Sequence, residues 1–128
     1  MIVIDASVLI VHLDADDAHH ARAGVLLEAA GSTPLAASRL TLAEVLVGPT
    51  RAGKLELAMG ALAQRGIDGV GLSGDAPLRL AGLRASTRLR MPDCCVLLAA
   101  EQVNAQVATF DASLAAAARA LGLAVVET

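Results

Sequence analysis

The chain has 128 residues, 55% of them hydrophobic, with a net charge of -3 and a mean hydropathy of +0.62. That length suits one domain over residues 1–128, able to bury roughly two-thirds of its unfolded surface without staples, and the hydropathy excludes a disordered tail. The charge excludes nucleic-acid binding through a bulk basic coat, although it leaves a local basic groove open.

The opening run Ile2-Val3-Ile4 is β-branched and stops at Asp5-Ala6-Ser7, which predicts a buried strand. It lacks the basic start and small-residue cleavage site of a secretory leader. Helices are expected over residues 8–13 and 17–30, the second ended by Gly31. The longest stretch without a charged residue or histidine is the ten residues 29–38, interrupted by Gly31 and Pro34. A membrane span needs roughly 20 apolar residues, so a cytoplasmic protein with no membrane partner is expected. Residues 34–37 suggest a second strand, 41–47 a helix stopped by Gly48-Pro49, and 55–64 a further helix. The segment from Gly48 to Lys54 resembles a phosphate-binding loop only faintly. It lacks the glycine spacing and the preceding strand, and is rejected.

A third strand is expected over residues 67–72, weakened by two glycines, then a helix over 75–90 broken at Pro92 and another over 93–103. Cys94 and Cys95 lie in that last helix. Adjacent thiols point in different directions, which suits neither a disulfide nor a zinc site, so both are expected in or near the core of a protein from a reducing compartment. Residues 107–110 read as a strand, 112–121 as an alanine-rich helix and 123–126 as a last strand. Alternating strands and helices call for an open, mostly parallel sheet covered on both faces. With 28 alanines, 21 leucines and Phe110 as the only aromatic residue, its core is aliphatic and built from small side chains.

Ligands of open α/β sheets collect at the carboxyl ends of the strands. Asp5 directly follows the first expected strand, and Asp111 follows the strand at 107–110. Glu44 lies in the first turn of the helix after the second strand. Asp93 begins a helix that must run antiparallel to the strand after it, so it starts at the same edge. Four acids distant in sequence are thus expected together. Asp5, Asp93 and Asp111 also suit helix caps or first turns, and Pro92 before Asp93 strengthens that reading. Glu44 resists it, because its apolar surroundings make an unpaired carboxylate costly to bury. Carboxylates sharing one pocket repel each other unless protonated or held by a cation. An oxygen-only set suits Mg²⁺ or Mn²⁺ rather than zinc. Phosphodiester hydrolysis assisted by the metal is the chemistry such a site performs.

The blocks IVIDASVLI, LTLAEVLVG, MPDCCVLLAA and VATFDASL, in that order, resemble a PIN-domain ribonuclease, specifically a VapC-type toxin of a type II toxin–antitoxin system. The likeness covers the whole chain and places the family's acidic quartet on Asp5, Glu44, Asp93 and Asp111. It implies a three-layer α/β/α PIN-like fold with a central, mostly parallel sheet, Mg²⁺-dependent RNA cleavage, a homodimer, and inhibition by a VapB-type antitoxin. On that resemblance Asp5 and Asp93 are the main metal ligands, while Glu44 and Asp111 complete the pocket and orient the attacking water. Ser7 and Thr109 are the hydroxyls that would hold a ligand carboxylate or a water.

Arg84 and Arg88, four apart on the helix expected over 75–90, share a face and could meet RNA phosphates, with Arg39 a weaker candidate and Arg79 and Arg90 nearby. His12, His19 and His20 have no metal-ligand spacing, and His19 and His20 are expected in solvent. Base stacking is nearly closed to a chain whose single aromatic residue is Phe110. The apolar content of the short helices 8–13 and 55–64 suggests surface left for a dimer or an antitoxin groove. Two rivals remain. A haloacid-dehalogenase-like phosphatase wants an acid two residues after Asp5, where Ser7 stands. A non-catalytic PIN-like binding module would make no use of an intact quartet.

Overall fold

The computed structural model describes residues 1–127. Its elements are β1 (Ile2–Ile4), α1 (Ala6–His12), α2 (His20–Ala29), β2 (Leu35–Ser38), α3 (Arg39–Arg51), α4 (Leu55–Gln64), β3 (Asp68–Val70), α5 (Ala76–Ser86), α6 (Met91–Val103), β4 (Gln106–Ala108) and α7 (Ala112–Ala120). The four strands pair in parallel in the order β3-β2-β1-β4. No helix among the described residues is long and apolar enough to cross a membrane.

Alternation along the strands divides the core in two. Val3, Ala36 and Val107 face a cluster completed by α5, α6 and α7, with Leu97, Leu98 and Leu114 fully buried in it. Ile2, Ile4, Ala37 and Ala108 face the opposite cluster, which Val8, Leu9, Leu27, Val45 and Leu62 complete from α1 to α4. The result is the expected three layers. β2 carries two alanines, Ala36 and Ala37, buried on opposite faces of the sheet. Cys94 and Cys95 are buried and unbridged in α6, as expected.

Several boundaries move for identifiable reasons. α2 starts at His20 rather than residue 17, because Asp14 and Asp17 turn their carboxylates onto the amides of Asp16 and His19, at 3.0 and 2.8 Å. α3 begins at Arg39 and runs through Gly48-Pro49 to Arg51. Proline forfeits one helical N–H bond, but near a helix end the loss is local. The Thr50 hydroxyl donates to the Leu46 carbonyl at 2.7 Å and the Ala52 amide to Gly48 at 3.0 Å, carrying the last turn.

α5 stops at Ser86, where Thr87 turns extended and its hydroxyl donates to the Leu83 carbonyl at 2.7 Å. Arg88 therefore lies beyond the helix and shares no helical face with Arg84, contrary to the expectation. The segment expected as a last strand makes only a parallel bridge, Val125 beside Val107. Gly69 in β3 and Gly71 just beyond it have a purpose: a Cβ at Gly69 would sit 3.2 Å from the Cγ of Arg39, and one at Gly71 3.7 Å from its Nη1.

Candidate active site

The chain leaves β1 for α1 on one face of the sheet, and leaves β4 for α7 on the other. Neighbouring parallel strands whose next helices diverge open a crevice at their carboxyl ends. Asp5 ends β1 and Asp111 ends the turn after β4, so both acids stand at that crevice. The amide of Asp5 donates to the Ala108 carbonyl at 2.9 Å, which ties the two strand ends together. α6 packs on the same pair of strands and delivers Asp93 in its first turn.

The three aspartates differ in kind. Asp5 occupies the N-cap position of α1 without capping it. It is 6% exposed, and its Oδ2 accepts the hydroxyls of Ser7 at 2.8 Å and Thr109 at 2.7 Å. Among the described residues no hydrogen bond reaches its Oδ1. The same two hydroxyls accept in turn from the backbone: Ser7 Oγ from the Phe110 amide at 3.1 Å, Thr109 Oγ1 from the Asp111 amide at 3.0 Å. Each hydroxyl therefore fixes both a carboxylate and the turn that follows β4. Asp111 is exposed and is a true cap, its Oδ1 accepting from the amides of Ser113 and Leu114 at 2.8 and 3.2 Å. Asp93 is half-buried in the first turn of α6. Burial pushes its carboxyl above the usual range, the charge of Asp5 adds to this, Arg90 opposes it, and Asp111 adds further. Asp93 is thus close enough to feel both other acids.

Glu44 is placed differently. The earlier start of α3 puts it in the second turn, exposed, while Thr41 and Val45 form the buried stripe of that helix. The burial cost expected for Glu44 does not arise. It is not among the charges acting on Asp93. Instead it lines an apolar cavity of about 750 Å³ between α1, α3 and α4, with Ile10, Val47, Leu57 and Ala61 in the wall. The two short helices expected to leave surface for a partner are the ones that open this cavity.

Two histidines also reach the cavity. His20 is half-buried rather than in solvent: its ring stacks on His12 with centroids 6.2 Å apart, and its Nδ1 lies 3.0 Å from the Val11 carbonyl. Burial, with Arg65 and His20 beside it, pushes His12 below the usual imidazole value. Among the described residues, His12 Nδ1 is the one buried side-chain polar atom without a hydrogen-bond partner.

The basic candidates are dispersed. Arg84 and Arg88 are exposed, and Arg39 lies across Gly69 and Gly71. A cation that sequence reasoning passed over, Arg22 on α2, sits with its Cζ 4.2 Å from the centre of the Phe110 ring. The argument that located Asp93 would have found it, because α2 also precedes a strand and starts at the acid edge.

Among the described residues no three His, Cys, Asp or Glu side chains form a ready cluster for a metal ion. The donor chemistry nevertheless fits a hard cation. Mg²⁺ is commonly held by one or two carboxylates with water completing its shell, and here Asp5 is oriented by two hydroxyls beside an Asp93 destabilised as an anion.

Comparison with known proteins agrees with the fold. A family model described as PIN domain matches residues 2–128. A solved toxin–antitoxin complex from Klebsiella pneumoniae is 26% identical, covers 91% of each chain and superposes with a TM-score of 0.75. The VapC20 toxin of Mycobacterium tuberculosis, which cleaves the sarcin–ricin loop, is 19% identical over 91% of this chain and 95% of its own, with a TM-score of 0.74. FitAcB of Neisseria gonorrhoeae is 20% identical over 99% and 97%, with a TM-score of 0.73. Among curated proteins none matches.

Proposed function

Because the chain belongs to the PIN domain family, we propose that it is a Mg²⁺-dependent endoribonuclease, active also with Mn²⁺, serving as the VapC-like toxin of a cytoplasmic toxin–antitoxin pair. The observation that carries this reading is the meeting of Asp5, Asp93 and Asp111 at the crevice between β1 and β4, where Asp93 feels both other acids. Asp5 and Asp93 hold the cation, directly or through water. Asp111 completes the acidic pocket and orients the attacking water; Glu44, exposed in the wall of the apolar cavity, has no part in it. Ser7 and Thr109 keep Asp5 Oδ2 engaged, so that Oδ1 is the atom turned to the ligand. The bound cation supplies stabilisation of charge on the phosphate and acidifies a water.

The partner reading has its own support. The Klebsiella neighbour is a toxin–antitoxin complex, and this chain presents an apolar cavity at the helices α1 and α4 that the sequence marked for a partner. A VapB-type antitoxin fills that cavity with apolar side chains, close to Glu44. Large apolar side chains exposed elsewhere, such as Leu78 at 79%, supply surface for a homodimer.

Purified protein incubated with RNA in Mg²⁺ tests the enzyme reading. Cleavage is expected to stop in EDTA and to fall by at least about 10²-fold in Asp5→Asn and Asp93→Asn, with folding intact by circular dichroism. Cutting that persists in EDTA, or at full rate in both variants, overturns the assignment. Phosphate release from small phosphomonoesters would instead select the phosphatase, and inactivity in both assays the binding module.

A further inference from the structure

We propose that Arg90, the residue that precedes α6 at the acid edge, binds a phosphate of the RNA and positions its backbone over the crevice; the proposal rests on the ribonuclease reading above. Arg90 occupies the N-cap position of α6, three residues before Asp93, but its side chain makes no capping hydrogen bond. Its backbone is held on both sides. Leu89 is buried in the cluster beneath α6, and the Arg90 carbonyl accepts from the Cys94 amide at 3.1 Å. An exposed side chain is thus carried on a fixed backbone at the start of α6, beside the carboxyl ends of β1 and β4.

Burial and the charge of Asp5 push the Asp93 carboxyl up, and Arg90 is the cation that opposes them. The two side chains nevertheless form no ion pair. Among the described residues, the arginines in ion pairs are Arg79 with Glu101 and Arg119 with Glu127. Nor does a side-chain hydrogen bond engage Arg90 there, so its N–H groups are open to a ligand while its charge is felt at the site. Arg84 and Arg88, also exposed, are not among the charges acting on Asp93. Of the arginines leading into α6, Arg90 is therefore the one placed for the crevice. Charge gives that placement a purpose. Three carboxylates repel the polyanion they must act on, and a cation at their rim offsets this where the strand approaches. A guanidinium offers its N–H groups as a planar fork that matches two phosphate oxygens. Such a contact positions the strand and reads no sequence.

The test is steady-state cleavage, at saturating Mg²⁺, of a single-stranded oligoribonucleotide that the unaltered chain cuts, from about 50 to 200 mM salt. Arg90→Ala is expected to raise KM about tenfold, with kcat changed less than about twofold. The slope of log KM against log salt is expected to fall by about 0.7, the loss of one phosphate contact on a single strand. Arg90→Lys should keep that slope, because the charge remains, while KM rises part of the way for want of the fork. Arg51→Ala removes the same charge from the last turn of α3, at the far end of a helix that starts at the acid edge, and should change neither quantity. An equal effect in Arg51→Ala marks bulk charge and overturns the inference. A role exercised through Asp93 also overturns it, and is recognised by an Arg90→Ala effect that disappears as Mg²⁺ or pH is raised. So does an unchanged KM and salt slope in Arg90→Ala, or a lower melting temperature with the slope intact, which marks a structural role. If the unaltered chain cuts no RNA, the ribonuclease reading fails and this inference with it. Cleavage by that chain with an unaffected Arg90→Ala overturns this inference alone.

Discussion

Asp93 shows how a single side chain trades stability for chemistry. Its carboxyl is held above the usual range by burial and by Asp5 and Asp111, so the folded chain binds that proton more tightly than the unfolded one. The stabilisation from this group is complete below the ordinary carboxylate value and is lost as pH rises through the raised one. At neutral pH, without a cation, ionised Asp93 therefore works against the fold. Asp93→Asn is expected to melt at a higher temperature than the unaltered chain in EDTA at neutral pH, with the advantage shrinking toward about pH 4. A variant that melts lower at neutral pH would contradict this. The placement of this residue and of Asp5 was legible in sequence, because strand ends and helix starts determine which residues meet at an edge. The hydroxyl network was legible only in outline. That Ser7 and Thr109 each serve a carboxylate and a backbone amide depends on the β1–β4 register, Val3 beside Val107, which no local pattern encodes. Asp111 in turn caps α7 and also acts on Asp93 from the crevice, so capping and a place among the acids are compatible.

At the scale of elements, α6 is the piece on which the site rests. Seven consecutive residues, Cys94 to Ala100, are buried in it, so it is apolar all round, as a helix wedged between sheet and neighbouring helix must be. Leu97→Ala should cost about 2–5 kcal/mol of stability in urea unfolding with an unchanged denaturant slope. A loss below about 1 kcal/mol would mean that α6 is packed more loosely than its burial indicates. The sequence read such elements well, since length and apolar content both mark them. Ends were harder. Pro49 was expected to stop α3, yet a proline within the last turn costs a single bond, and a threonine hydroxyl repairs the turn. α5 ends early because the backbone of Thr87 turns extended, its hydroxyl still bonding back to Leu83. Both outcomes depend on a single residue, a scale below the periodicity from which helices are read. β3 illustrates the same limit: the expected strand forms, and the glycines expected to weaken it, Gly69 within it and Gly71 after it, are the floor beneath Arg39.

For the whole molecule, net charge is a poor guide and its distribution a better one. With three of the thirteen acids at one crevice, ten basic residues face ten acids elsewhere, a balance of zero. The chain is then a nearly neutral shell around a cation-seeking centre. A cation that binds only the folded state stabilises it by mass action, so millimolar Mg²⁺ should raise the melting temperature of the unaltered chain and leave Asp5→Asn unmoved. Equal shifts in both would argue against a site built on Asp5. The overall architecture was legible because strands and helices alternate and parallel strands demand covered faces. The cavity was not, since its walls come from α1, α3 and α4 together, and only the apolar surplus of two of them hinted at it.

The bond from Thr109 to Asp5 spans 104 residues of chain, and that separation orders events in time. A ribosome adding about 5–20 residues per second needs roughly 5–20 seconds to travel from one to the other. Throughout that interval Asp5 lacks the Thr109 hydroxyl that orients it. The candidate site is therefore incomplete while residues 5–108 are being made, and is assembled only once the turn after β4 has formed.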